Sequence, residues 1–163
     1  MSGSPVSIME ERVLFARDIK PEVNACLQSA VAHAKDFERA RELLYKAREL
    51  DPDQLEVYIA LYKFLFYRGH LAEAETVALD ALDSAARRGG FSPALEQLSV
   101  QTTDWSIADG PARTFLYSLK ALSFIRLRKG EHEAGKALLA LLGELDPLDQ
   151  VGGSVIRELA EAL

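Results

Sequence analysis

The sequence contains few side chains with the type and spacing that metal chemistry needs. Cys26 and His33 are seven positions apart, so they share one face of a helix if residues 21–35 are helical. A protein zinc site takes three or four ligands, and two residues do not make one. His70 and His132 lie beside the glycines of turns, which is typical of solvated positions. We therefore predict no metal site and no bound cofactor.

Catalytic residues are equally hard to assign. The paired carboxylates have the spacing of ordinary solvated helix faces: Glu10 with Glu11, Asp80 with Asp83, and Glu131 with Glu133. Gly152, Gly153 and Ser154 fit either an anion-binding helix start or, more simply, a flexible turn into a final helix. No Ser/His/acid set and no glycine-rich phosphate loop is recognisable. We predict that the protein is not an enzyme; the alternative is an enzyme whose site is not revealed by motifs.

Composition narrows the class of protein. The chain has 163 residues, of which 48% are hydrophobic, so we expect it to bury a core and to be ordered over most of its length. The net charge of -6 argues against nucleic acid as the main partner, because phosphate binding needs a cationic surface. The single cysteine excludes an internal disulfide and suits a reducing compartment. No apolar run approaches the roughly 20 residues of a membrane span, and residues 1–20 lack a signal-peptide core. We expect a cytoplasmic protein without membrane contact.

Apolar and small residues recur at helical spacing through most of the chain. The pattern predicts helices over 5–17, 21–35, 37–50, 54–68, 71–87, 111–129, 131–145 and 154–162, with a short helix at 93–99. The links between the helices are too short for anything but antiparallel neighbours. Residues 54–68 are apolar almost all round, so this helix should be the most enclosed, or have a second face that a partner buries. Residues 89–110 are rich in helix breakers and form an irregular stretch.

A 34-residue register relates three segments that start at residues 21, 55 and 116. Position 7 of the register is always leucine, position 15 falls on the turn between two helices, and position 20 is always small. The matching residues are Leu27, Leu61 and Leu122, then Lys35, Gly69 and Gly130, then Ala40, Ala74 and Gly135. An interruption of 27 residues precedes the third segment.

These positions resemble the tetratricopeptide-repeat (TPR) family, whose 34-residue units are antiparallel helix pairs. The resemblance implies an all-α fold of about three stacked pairs that form a short superhelix in one domain, residues 1–163. The expected divisions are an N-terminal helix at 5–20, units at 21–54, 55–88 and 116–149, an irregular insertion at 89–115, and a C-terminal capping helix at 150–163.

TPR proteins hold a peptide or helix on a concave face formed by the first helix of each pair, and the resemblance places specific residues there. In unit two they are Glu56, Ile59, Lys63, Phe66 and Tyr67, and in unit three they are Tyr117, Lys120, Phe124, Leu127 and Arg128. Aromatic anchors with cations at their edge suit a partner segment that is apolar with acidic flanks. The alternative is that the insertion or the N-terminal helix covers the aromatic side chains.

The insertion carries the single tryptophan, Trp105. This residue either anchors a partner protein or pins the insertion onto the helices, and we favour pinning. If the predicted concave face is correct, replacing Phe66 and Phe124 together by aspartate abolishes partner binding and leaves helicity intact. Unfolding of that double variant would instead place both residues in the core.

The resemblance predicts a protein-binding adaptor or assembly chaperone of bacterial type. The segments VYIALYKF, GPARTFLYSLKA and DQVGGSVI are similar to small TPR proteins that accompany bacterial nitrogen-fixation genes. That similarity implies an accessory role in metallocluster or enzyme assembly through protein contacts. The alternative is a dimeric chaperone of a bacterial secretion system, because the small size, acidic pI and three repeats resemble the TPR chaperones of type III secretion translocators. A homodimer through residues 5–17 would favour that alternative, whereas the interruption of the repeats disfavours it.

Overall fold

A computed structural model describes residues 18–162 of the chain. In this range there are seven α-helices, one short 3₁₀ helix and no β-strand, which confirms the all-α prediction. The helices are α1 (Pro21–Ala32), α2 (Phe37–Leu50), α3 (Leu55–Tyr67), α4 (Leu71–Gly89), α5 (Gly110–Arg128), α6 (His132–Leu145) and α7 (Gly153–Glu161), and the 3₁₀ helix is Leu95–Gln97. The helix predicted over residues 5–17 lies outside the described residues. None of the described helices has the length and apolar run that a bilayer span requires.

The chain divides into two compact units, Met1–Ala74 and Glu75–Leu163, and the division falls inside α4. In the described part of the first unit, α1 pairs with α2, and α2 packs against α3. In the second unit α5 pairs with α6, and α7 packs against both. Successive helix pairs therefore build each unit, as the periodicity predicts. The repeat boundaries at 21–54, 55–88 and 116–149 stay predictions.

The first unit follows from local sequence signals. Pro21 opens α1 at a position where its missing N–H costs nothing, and Asp36 caps α2 by accepting the backbone N–H of Arg39 at 3.2 Å. Nine of the 13 residues of α3 are buried, in keeping with its nearly continuous apolar sequence. Among them Phe64 is fully buried, and its ring stacks on Phe37 with centroids 5.3 Å apart. Helix α3 thus supplies much of the core of this unit.

Helices α3 and α5 end in the same glycine turn. After α3, the N–H groups of Gly69 (φ 82°) and of the next residue bond back to the carbonyls of Phe66 and Leu65. After α5, Gly130 (φ 84°) and its successor repeat the same pattern of hydrogen bonds. This is the Schellman arrangement, whose left-handed position glycine adopts without steric cost. Both glycines stand at position 15 of the 34-residue register.

Helix α6 approaches the backbone of α5 closely at Gly135. A Cβ atom on Gly135 would lie 2.7 Å from Cγ and from Cδ2 of Leu127, and 3.1 Å from the carbonyl oxygen of Ser123. Such distances are shorter than van der Waals contact, so a larger residue would force the two helices apart. Gly135 is the small residue at position 20 of the register.

Gly135→Ala is therefore expected to lower the free energy of unfolding by about 1–3 kcal/mol, because the added methyl group overpacks the contact between α5 and α6. Gly143→Ala in the same helix is the matched control. There the added Cβ would meet only the end of the flexible Arg157 side chain, 2.9 Å from its Nη2, and alanine is the better helix former by about 1 kcal/mol. Urea unfolding measures both variants, and equal stability of the two would contradict the close approach.

Candidate protein-binding surfaces

The residues considered for metal binding do not converge in the structure. Within residues 18–162, no three His, Cys, Asp or Glu side chains are close enough together to hold a metal ion. Cys26 is buried in α1, whereas His33 is exposed and its Nδ1–H donates to the Ser29 carbonyl at 2.8 Å. His70 stacks on the ring of Phe37 with centroids 4.2 Å apart. Each of these side chains is occupied by packing or by a hydrogen bond within its own unit.

At the N-terminus of α7, where an anion could bind, the carboxylate of Asp149 forms the hydrogen bonds. Asp149 accepts the backbone N–H of Ser154 at 3.0 Å and its hydroxyl at 2.5 Å, and these hydrogen bonds lower the pKa of Asp149. A Cβ atom on Gly153 would lie 2.6 Å from Cδ2 of Leu142, so this glycine allows α7 to pack closely on α6. Of the two interpretations of the segment 152–154, the turn into a final helix fits these contacts.

The face predicted on α3 is only partly open. Ile59 is 1% exposed and belongs to the core, Lys63 and Phe66 are half-buried, and Tyr67 is 47% exposed. The rings of Phe66 and Tyr67 meet edge to face, with centroids 5.5 Å apart and an angle of 78° between their planes. Of the four residues described here, Tyr67 is therefore the most exposed, and the binding face on α3 stays a prediction.

Of the two cations predicted on α5, one has a contact within its own unit. Leu127 is 6% exposed and packs against Gly135, so its predicted place on an open face is wrong. Tyr117 and Phe124 are half-buried, and Arg128 is exposed. The ammonium group of Lys120 donates to the backbone carbonyl of Val151 at 2.7 Å and lies 5.9 Å from the ring of Tyr117. Burial lowers the pKa of Lys120. Lys120 thus holds the segment before α7 in place, and Arg128 is the more exposed of the two predicted cations.

Trp105 lies in an aromatic cluster of the insertion, defined here as Phe91, Trp105 and Phe115. The ring of Trp105 is 5.3 Å from that of Phe91 and 5.8 Å from that of Phe115, and the two phenylalanine rings are 5.2 Å apart. The indole N–H donates to the carbonyl of Ser99 at 2.9 Å, and Trp105 is only 6% exposed. Trp105 therefore attaches the insertion to α5, as expected if its role is to hold the insertion against the helices.

Beside the aromatic cluster lies an open cleft of about 270 Å³, which no sequence motif indicates. The insertion and the turn between α6 and α7 supply its walls. The residues that line it are Val100, Thr103, Asp104, Trp105, Ser106, Leu145, Asp146, Pro147, Leu148 and Gln150. Leu148 is 78% exposed and Val100 is 58% exposed, so both present apolar surface to solvent.

Asp146 shapes one wall of the cleft. It is 7% exposed, and its Oδ1 and Oδ2 accept the backbone N–H groups of Gln150 at 2.9 Å and Val151 at 3.0 Å. In the sequence, the Asp146-Pro147 pair indicates only that a helix stops, as Asp-Pro does after α2. These two bonds help to hold the backbone of the turn that precedes α7.

A hydrogen-bonded cluster links α2 to the start of α4 within the first unit. The Glu73 carboxylate accepts from Nε of Arg41 at 2.8 Å and from the hydroxyl of Tyr45 at 2.6 Å. Burial raises the pKa of Tyr45 to about 12, and its hydrogen bond to Glu73 adds to that shift. Burial alone would raise the pKa of Glu73, but the hydrogen bonds from Tyr45 and Arg41 outweigh it and hold the pKa below its usual value of 4.5. Glu73 is therefore ionised at neutral pH.

Glu73→Gln is expected to lower the free energy of unfolding by about 1 kcal/mol at neutral pH, because it removes a partly exposed ion pair with Arg41. Since the folded-state pKa of Glu73 is lowered, its contribution is complete above the usual pKa of 4.5 and is lost as the pH falls through the folded-state value. The wild type should therefore lose more stability than the variant on acidification. Urea unfolding over a range of pH measures this, with Glu49→Gln on the exposed side of α2 as the control. Parallel pH curves for the wild type and Glu73→Gln would contradict it.

Comparison with known proteins identifies a relative from Azotobacter chroococcum mcd 1, the uncharacterized 19.8 kDa protein in the nifW 5′ region. The two sequences are 30% identical over 158 residues, which cover 89% of this chain and 81% of the relative. No protein-family model matches the chain, and no solved structure matches it significantly. Because the identity extends through most of both chains, this protein belongs to the family of the 19.8 kDa protein in the nifW 5′ region.

Proposed function

We propose that this protein is a TPR-like adaptor or assembly chaperone that serves nitrogen fixation by binding another protein. The place of its relative in the nifW 5′ region supports the link to nitrogen fixation. The similarity of VYIALYKF and DQVGGSVI to small TPR proteins that accompany such genes supports it as well. The role is accessory: it assists the assembly of a metallocluster or an enzyme through protein contacts.

The helix contacts support the TPR part of the proposal. Leu27, Leu61 and Leu122, at position 7 of the register, are each at most 1% exposed. The glycines at position 15 of the second and third units make the same left-handed turn, and Gly135 at position 20 permits close helix approach. Stacked helix pairs of this kind bury a core and leave surface on the first helix of each pair for a partner.

The observation that carries the proposal is the pair of aromatic residues at the C-terminal end of α3, Phe66 and Tyr67. Tyr67 is 47% exposed, its ring is supported edge-on by Phe66, and Lys63 lies one turn earlier in the same helix. Tyrosine supplies a large contact area with little loss of side-chain entropy and is enriched at interface hot spots. With a lysine beside the aromatic pair, the surface suits an apolar partner segment with acidic flanks.

Tyr67→Asp is expected to reduce the recovered partner at least about tenfold, because loss of a hot-spot aromatic side chain costs about 2 kcal/mol or more. The tagged protein is expressed in its native host under nitrogen-fixing conditions, purified, and analysed by mass spectrometry. Leu79→Asp, which changes a 43% exposed leucine in α4, is the matched control for an added surface charge. The double variant with Phe66 and Phe124 replaced by aspartate tests the larger surface, with circular dichroism as the measure of helicity.

One protein should dominate the wild-type eluate and be depleted with Tyr67→Asp but not with Leu79→Asp. Equal recovery with both variants, or no enriched protein in nitrogen-fixing cells, would argue against the proposal. Light scattering on the purified protein decides the homodimer alternative. A dimer that Tyr67→Asp dissociates would show that this surface serves self-association.

A further inference from the structure

The cleft beside Trp105 combines three properties of a docking site for a side chain. It has a fixed aromatic floor, exposed aliphatic residues at its rim, and acidic residues but no base among those that line it. We propose that this cleft binds a segment of a partner protein in which an apolar side chain is next to a lysine or an arginine. The cleft would be a second binding site, beside the surface on α3. It rests on the proposed function in one respect, which is that the ligand is a polypeptide.

The floor and one wall of the cleft are held by contacts within the protein. Trp105 is fixed by its hydrogen bond to the carbonyl of Ser99 and by ring contacts with the other two members of the aromatic cluster. Asp146 fixes the wall, because its two oxygens hold the backbone that follows Pro147. A preformed pocket binds its partner with a smaller loss of conformational entropy than a pocket that must first be ordered.

The size and the rim of the cleft favour an amino-acid side chain as the occupant. The volume of about 270 Å³ is below the roughly 300–1,000 Å³ usual for sites that enclose small molecules. Leu148 and Val100 stand on the two chain segments that bound the cleft, and both are mostly exposed. An apolar side chain between them would remove apolar surface of both partners from water. The cleft therefore fits one or two side chains of a polypeptide better than a cofactor.

The negative charge of the cleft favours a basic residue next to the apolar side chain of the partner. Asp104 and Asp146 are the ionisable residues among the ten that line it. The backbone N–H and the hydroxyl of Ser106 both bond to Oδ1 of Asp104, which lowers the pKa of Asp104 and leaves Oδ2 without a hydrogen bond from the described residues. Arg113 does not line the cleft, but its guanidinium donates a hydrogen bond to the side-chain amide oxygen of Gln150, which does. The exposed carboxylate of Asp104 can therefore pair with a cation of the partner.

This preference is opposite to that of the surface on α3. There Lys63 accompanies the aromatic pair and favours a partner segment with acidic flanks. The two sites thus select segments of opposite charge, and peptides of opposite charge can test the cleft separately.

Trp105 is the single tryptophan of the sequence, so its fluorescence reports on the cleft. The probes are two blocked hexapeptides with two central leucines, flanked by lysines in one peptide and by glutamates in the other. We expect a saturable change in emission with the lysine peptide and an affinity about fivefold lower for the glutamate peptide. Leu148→Ser should weaken binding of the lysine peptide about tenfold. Asp104→Asn should abolish the preference for lysine over glutamate, while its amide oxygen keeps the hydrogen bonds from Ser106.

Ile107→Ser is the matched control, because Ile107 is 49% exposed in the same insertion but does not line the cleft. Thermal unfolding shows whether each variant is folded. The proposal is overturned by equal binding of the glutamate peptide, by an absent emission change, or by normal binding to Leu148→Ser. If Tyr67→Asp reduces partner recovery while the cleft fails any of these tests, the adaptor proposal is still supported. The two proposals can therefore fail separately.

Discussion

Replacing Phe115 by alanine is expected to lower the free energy of unfolding by about 3–5 kcal/mol. Phe115 is fully buried, and its ring contacts those of Phe91 and Trp105 at centroid distances of 5.2 and 5.8 Å. Removing the ring leaves a cavity where the insertion meets α5, and the lost contacts between aromatic rings add to the cost. Urea unfolding followed by circular dichroism measures the change.

Two further measurements show whether this loss arises in the aromatic cluster. The emission of Trp105 should move to longer wavelength in folded Phe115→Ala, because the indole loses part of its cover. Phe115→Leu refills most of the space and should cost about 1 kcal/mol, and Ile107→Ala at the surface should cost less than about 0.5 kcal/mol. A loss below about 1 kcal/mol for Phe115→Ala would show that the cluster does not hold the insertion.

Asp146→Ala should lower the free energy of unfolding by about 2–3 kcal/mol, the second largest effect that we expect. The carboxylate is 7% exposed and accepts the N–H groups of Gln150 and Val151. Alanine leaves the N–H of Val151 buried without its acceptor, and a buried unsatisfied donor costs more than an ordinary hydrogen bond contributes. Urea unfolding measures the loss, and hydrogen exchange at the amide of Val151 should accelerate because the segment before α7 loosens.

Asp146→Asn separates the two hydrogen bonds of the carboxylate. The Asn Oδ1 can accept one N–H group, but its amide NH₂ would face the other donor, so we expect about half the loss found with alanine. The lysine peptide should bind more weakly to both variants, because the wall of the cleft depends on these bonds. Unchanged stability of Asp146→Ala would mean that other contacts shape the turn.

The positions of the helices could be predicted because their signals are local. Every helix predicted from residue 21 onward is present except the one at 93–99, since Pro21, Asp36 and the turn glycines act within one turn of where they stand. Within 93–99 only the 3₁₀ turn Leu95–Gln97 forms. There the aromatic cluster and its contacts with α5 shape the chain, and periodicity does not report such contacts.

The exposure of the residues assigned to the binding face could be predicted less well, because exposure depends on residues that are distant in the sequence. Lys120 stands at a register position that predicts an open rim, yet its ammonium binds the carbonyl of Val151, 31 residues further on. Ile59 matches a surface position of a regular repeat, but α3 is buried on most sides. The cleft was not predicted, because it forms between the insertion and the turn before α7, which no local pattern connects.

The buried thiol of Cys26 allows local opening of the first unit to be measured chemically. Cys26 is the single cysteine of the sequence and is 8% exposed on the buried side of α1. A thiol reagent reaches it when α1 opens, so its labelling rate relative to that of a free thiol gives the equilibrium constant for opening. Comparison with the constant for global unfolding shows whether α1 leaves α2 on its own. The variant Leu79→Cys would add an exposed thiol that reacts first, so a fluorophore or cross-linker can be attached to α4 while Tyr67 is kept and the native thiol stays protected.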